Sequence, residues 1–129
     1  MNIEHRDNYF VVQLSEFRGS TKGYFLGRFM GEQGYPFLNF EELEIASMEL
    51  PIVDESKPHY HLVSTEVTIV TEGCLTLIVD QQQEIQLKKG EFVVIPPGTV
   101  LQNPVNEPGT KVIVIKFPSI PEDKYYIEK

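Results

Sequence analysis

The chain has 129 residues, 41% of them hydrophobic and 23% charged, enough for one domain with a real core and too few for two. Its 19 acidic against 11 basic residues leave a net charge of −8 spread along the sequence, without the Lys and Arg clusters that a nucleic-acid partner requires. No apolar run approaches the roughly 18 residues of a membrane span, the amino terminus shows no basic-then-apolar leader, and the one cysteine, Cys74, excludes an internal disulfide, so a cytoplasmic protein with no membrane partner is expected.

Residues 1–40 are expected to form an arm or extra strands, with Tyr9-Phe10-Val11-Val12 as one strand and Gly23 to Met30 too aromatic to stay exposed. Residues 41–118 read as the main β body. Glu41 to Leu50 begins it, with Leu43, Ile45 and Ser47 on one face and Pro51 as its stop. Cys74 to Val79 aligns Leu75, Leu77 and Val79, Asp80 to Gln83 is a polar turn, and Glu84-Ile85-Gln86-Leu87 alternates cleanly. Phe92 to Ile95 and Val112 to Ile115 are apolar on both faces. Short strands at intervals of about 8–12 residues, punctuated by Gly, Pro and polar turns, predict an all-β sandwich or barrel. Residues 119–129 are left as a tail, in which Tyr125 and Tyr126 are expected to cover barrel surface.

The chemistry concentrates in His59-Tyr60-His61 and Glu66. On an extended strand, side chains at i and i+2 share a face, so the two imidazoles project together. Glu66 has the wrong parity for that same strand. A turn through Leu62 to Thr65 must carry it to the next strand, opposite the histidines. Two neutral imidazoles and one carboxylate suit a single metal ion with open positions. A His-x-His pair alone is more often two hydrogen-bonded polar residues at a barrel mouth. The matching carboxylate favours the metal, because an inward carboxylate without a partner costs several kcal/mol.

Gly90 and the turn Pro96-Pro97-Gly98 complete a longer pattern. Together with His59, His61, Glu66 and Gly73 they resemble the two motifs of the cupin family. The resemblance implies a double-stranded β-helix, a jelly-roll-like barrel of antiparallel strands filling 41–118 of a single domain over 1–129. It implies one divalent transition metal ion, iron, manganese, nickel, zinc or copper, on His59, His61 and Glu66. Three positions depart from the motifs: Val53 stands for the first glycine, Leu101 for the last histidine ligand and Val105 for the asparagine. Parity places Leu101 and Asn103 inward and Gln102 outward. Leu101 then forms an apolar wall, and Gln102 replaces the missing imidazole only if a bulge reverses its facing.

Two functional classes remain open. The resemblance implies a metal-dependent oxygenase, isomerase or decarboxylase acting on a small organic acid or sugar. The alternative is a non-catalytic cupin that binds or senses a small ligand. Strands apolar on both faces also predict a homodimer, unless the Gly23 to Met30 stretch covers the outer face.

Overall fold

The computed structural model describes residues 3–5, 9–17, 23–54 and 57–127. A short hairpin of β1 (Ile3–His5) and β2 (Phe10–Val12) precedes β3 (Tyr24–Leu26) and β4 (Glu44–Glu49). Then come β5 (His59–Tyr60), β6 (Thr65–Glu72), β7 (Cys74–Val79), β8 (Gln83–Lys88) and β9 (Phe92–Ile95). The chain finishes with β10 (Leu101–Asn106), β11 (Lys111–Phe117) and β12 (Tyr125–Tyr126). Two five-stranded sheets result, ordered β12-β5-β10-β7-β8 and β3-β4-β11-β6-β9, antiparallel throughout.

The sheets close on each other because each central strand is apolar at alternate positions. Val70 of β6, Leu75 and Leu77 of β7, Ile95 of β9, Leu101 of β10 and Val112 of β11 meet in one core. The opposite parity of β6, β9 and β11 is apolar too. On the outer face Phe92, Ile69 and Ile113 form one cross-strand row, and Val94, Val67, Ile115 and Ile45 form another. Phe92 and Val94 are 63% and 52% exposed. In β4 the inward residues are Glu44 and Ala46, while Ile45 and Ser47 take the half-buried outer face.

Residues of the arm build a second cluster, in which Phe17, Met30 and Leu38 are buried among Phe25, Phe29, Tyr35 and Phe37. That cluster accounts for the aromatic stretch, and β3 joins it to the edge of β4. Residues 18–22 of the arm and the last two of the tail lie outside the described residues.

Two motif glycines have mechanical roles. Gly73, at φ +80°, turns β6 into β7 where any Cβ would collide with the Thr110 side chain. That threonine is fully buried, and its hydroxyl, with one proton to give, lies 2.8 Å from the Glu107 carbonyl and 3.1 Å from that of Cys74. Gly98, at φ +86°, sits in the turn after β9 and donates its N–H to the His61 carbonyl at 2.7 Å. The second motif therefore pins the backbone of the first. The β7–β8 turn instead places Asp80 and Gln81 at φ +50° and +58°, the double left-handed geometry that short-looped hairpins favour.

Candidate functional site at the barrel mouth

His59 lies in β5 and His61 just beyond it, while Glu66 lies in β6 of the facing sheet. The turn expected at Leu62 to Thr65 thus delivers the carboxylate across the barrel. Its geometry is imposed by the tail. The Asp123 carboxylate accepts N–H bonds from Leu62 at 2.8 Å, Val63 at 3.0 Å and Ser64 at 2.8 Å. Ser64 in turn donates its hydroxyl to the Pro118 carbonyl at 2.8 Å. Burial would raise the Asp123 carboxyl, but the three backbone donors outweigh it and hold it below the ordinary carboxylate range.

The same tail orients both imidazoles. A carbonyl only accepts, so the short contact of His61 Nδ1 with the Asp123 carbonyl fixes the proton on Nδ1. His59 Nδ1 makes the equivalent bond to the Lys57 carbonyl at 3.2 Å. In the neutral rings both Nε2 atoms are therefore lone-pair donors, the tautomer of a metal-ligating histidine held by an outer hydrogen bond. β12 pairs Tyr126 with His59 and Tyr125 with Tyr60, and the two tyrosines of the second pair stack at 5.5 Å. Tyr125 and Tyr126 thus flank the histidines as an added edge strand.

His61 Nε2 faces Glu66 Oε1 at 3.2 Å, with both side chains buried. Two acceptor atoms aimed at each other need a cation between them, either a proton or a metal ion. Two ligands at about 2.1 Å from one ion stand about 3.0 Å apart in octahedral and about 3.4 Å apart in tetrahedral geometry, so the pair fits cis positions on one ion. Glu66 Oε2 accepts the Thr68 hydroxyl at 2.9 Å. Burial pushes the Glu66 carboxyl up, but the His61 contact, the Lys116 charge and the Thr68 bond together hold it below its ordinary value. His59 stands further off, its ring centroid 5.7 Å from that of His61. Burial and the Lys124 charge lower the His59 pKa, which keeps the ring neutral. Among the described residues no three His, Cys, Asp or Glu side chains converge within reach of one ion.

A cavity of about 170 Å³ opens between the sheets beside this pair, lined in part by His59, Glu66, Leu101 and Asn103. Leu101 is buried and pairs directly with His59 across β5 and β10. Gln102 is half-buried and lines no part of the cavity. A bulge does occur in β10, but between Gln102 and Val105, too late to turn Gln102 inward. The Asn103 amide is committed to the Thr76 carbonyl and to Asn106. Val53 and Val105, two of the departures from the motifs, pair with each other in an isolated bridge and are both exposed.

Sequence reasoning missed four residues here. Lys116 is the register partner of both Glu44 and Glu66, so a cation lies between two buried carboxylates on adjacent strands. Its ammonium also sits 5.5 Å from the Tyr24 ring centre. Burial would depress the Lys116 ammonium, yet Tyr24, Glu66 and Glu44 raise its pKa. Burial raises the Glu44 carboxyl. Inward parity with Val112 and Val114 was the available signal for Lys116, obscured because β11 is apolar on both faces. Asp123 had no signal, being brought to the site by tertiary structure alone.

Two facing antiparallel sheets with a polar site at one end of the barrel define a double-stranded β-helix. The cupin-domain family model matches residues 46–115, more than half of the chain. The protein belongs to the cupin family. It is 35% identical over 76 residues to quercetin 2,3-dioxygenase of Bacillus subtilis, a match covering 59% of this chain but only 22% of that protein. Among solved structures it superposes on the Streptomyces nucleoside dehydratase Pac13 with a TM-score of 0.59 at 10% identity, covering 68% of this chain and 70% of that one. A double-stranded β-helix protein of Klebsiella pneumoniae gives 0.59 at 18% identity, covering 69% and 77%. KdgF of a Halomonas species gives 0.56 at 20%, covering 62% and 73%. These structural likenesses concern the fold. No helix among the described residues is long and apolar enough to cross a membrane.

Proposed function

We propose that the protein holds one divalent transition metal ion, from the set iron, manganese, nickel, zinc and copper, on His59, His61 and Glu66 at the barrel mouth. The observation that carries this reading is His61 Nε2 facing Glu66 Oε1 at 3.2 Å, with both imidazoles turned by backbone carbonyls to present Nε2. Such an ion would act as a Lewis acid toward the oxygen of a small organic ligand. This chain's own residues bind and orient: Asp123 holds the turn behind His61, Lys116 and Thr68 keep Glu66 anionic, and Leu101 excludes a fourth ligand beside His59. An oxygenase, isomerase or decarboxylase reaction fits a site with open positions.

A second reading is favoured by the separation of His59 from the other two donors. In it a proton bridges His61 and Glu66, and the barrel binds or senses a small ligand without turnover. Elemental analysis of protein purified without a histidine tag decides between them. One metal ion per chain, lost in His61→Ala and in Glu66→Gln, is the expected result. An absence of metal, or unchanged stoichiometry and affinity in His59→Ala, would falsify the three-ligand assignment.

A further inference from the structure

The cavity beside the histidines is divided by polarity in a way that selects its ligand. Leu50, Leu75, Leu77, Leu101, Val112 and Val114 form its body, contributed by both sheets. Its ionisable lining is His59, Glu66 and Lys124 together with Asp54, which is set further along β10, its backbone N–H on the Pro104 carbonyl, than the His59–Leu101 pair. The remaining donors nearby are engaged within the protein: the Thr68 hydroxyl binds Glu66, and the Asn103 amide binds Thr76 and Asn106. We infer that the cavity takes a small amphipathic monocarboxylic acid, with a hydrocarbon body of about one six-membered ring or a four-to-six-carbon chain against the Leu and Val walls and its carboxylate at the His59–Glu66–Lys124 end.

Size sets the first limit. About 170 Å³ is close to the roughly 150 Å³ of an apolar cavity that accepts one benzene ring. Quercetin, the compound for which the B. subtilis dioxygenase is named, has three rings and exceeds it. Polarity sets the second. A sugar or sugar acid carries a hydroxyl on nearly every carbon, and each one pressed against Leu or Val loses its water without gaining a partner. A hydrocarbon body meets the same walls favourably, because both surfaces leave water. Charge sets the third. Lys124, whose ammonium also lies 5.5 Å from the Tyr126 ring centre, is the cation of the lining, and the carboxylate preference over an amine rests on the metal reading above, since Glu66 and Asp54 without the ion would repel an anion.

Hexanoate and gluconate test this directly, having the same head and the same number of carbons but opposite bodies. Each is titrated into zinc-loaded protein carrying ¹³C-labelled Leu and Val methyl groups, and methyl shifts are followed by NMR. Hexanoate is expected to shift the methyls of Leu77, Leu101, Val112 and Val114, with gluconate at least tenfold weaker. Lys124→Met, at an exposed position, should weaken hexanoate several-fold without moving those methyls in the free protein. Gluconate binding as well as hexanoate, or hexanoate leaving these methyls unshifted at tens of millimolar, overturns the inference even if zinc is bound. Should the protein take up no zinc, the metal reading fails by itself, and the same titration on metal-free protein decides the apolar-body assignment: methyl shifts there sustain it, and their absence sinks it.

Discussion

Replacing Asp123 by alanine removes the acceptor of three N–H bonds from Leu62, Val63 and Ser64. Ser64 is 1% exposed, so its amide loses this acceptor without ready access to water. Such an orphaned donor costs about 1–3 kcal/mol. Leu62 and Val63 are exposed, so water replaces their partner and each contributes roughly 0.5–1 kcal/mol. The total of about 2–5 kcal/mol corresponds to a fall in Tm of roughly 10–15 °C for a domain of this size. Asp123→Asn, which keeps one acceptor oxygen, should lie between parent and alanine variant. The assay has two parts, thermal unfolding followed by circular dichroism and long-range ¹H–¹⁵N NMR of the imidazoles. In the parent, His61 should carry its proton on Nδ1. In Asp123→Ala the freed strap should let it populate both tautomers, and any bound metal should be held at least tenfold more weakly. An alanine variant that melts within about 2 °C of the parent with an unchanged His61 tautomer would refute the reasoning.

Leu101→His sets a further imidazole beside His59 at a cavity-lining position and should raise metal affinity, whereas Gln102→Ala, off the cavity, should leave it unchanged; parallel metal titrations compare them. Metal should be lost as pH falls below about 6, because protons then compete for the imidazoles, and retention at pH 4 by equilibrium dialysis would exclude histidine ligands. Asp123 and Glu66 have depressed folded-state pKa values, so their contribution to stability is present above the unfolded value of about 4 and disappears as pH drops through the folded values. The stability gap between parent and Asp123→Ala should accordingly shrink below about pH 4, measured by urea unfolding. The apolar outer rows predict a homodimer, and Val94→Asp, at an exposed site, should give a folded monomer; light scattering that finds the parent monomeric at micromolar concentration disposes of this.

The fold was legible because its signals are local. Gly73, Gly98 and the alternation of β7 and β8 each report a backbone requirement that a short window contains. The passage of Glu66 to the facing sheet followed from parity alone. Leu101 also faces the cavity, because the β10 bulge falls after it in the strand register, and Asn103, within the shifted interval, lines the cavity too. What escaped was set by contacts distant in sequence. Asp123 reaches residues about 60 positions upstream, and Lys116 acquires its neighbours only when β4 and β6 flank β11. The stand-off of His59 was equally hidden, since His61 leaves the strand that spacing assumed both would share.

The bond between the tail and the Leu62 to Ser64 turn also fixes an order of assembly. A segment closing a loop of about 60 residues forms its contacts only after the intervening strands have been laid down, since the closure entropy must be offset by structure already in place. With β4 through β11 built, His61 already meets Glu66 and Gly98, but its Nδ1 partner and the clamp on the Leu62 to Ser64 turn come only when Asp123 arrives. The barrel matures before its chemistry does. Amide exchange at residues 62–64 should therefore report the last step of folding and the first of local opening.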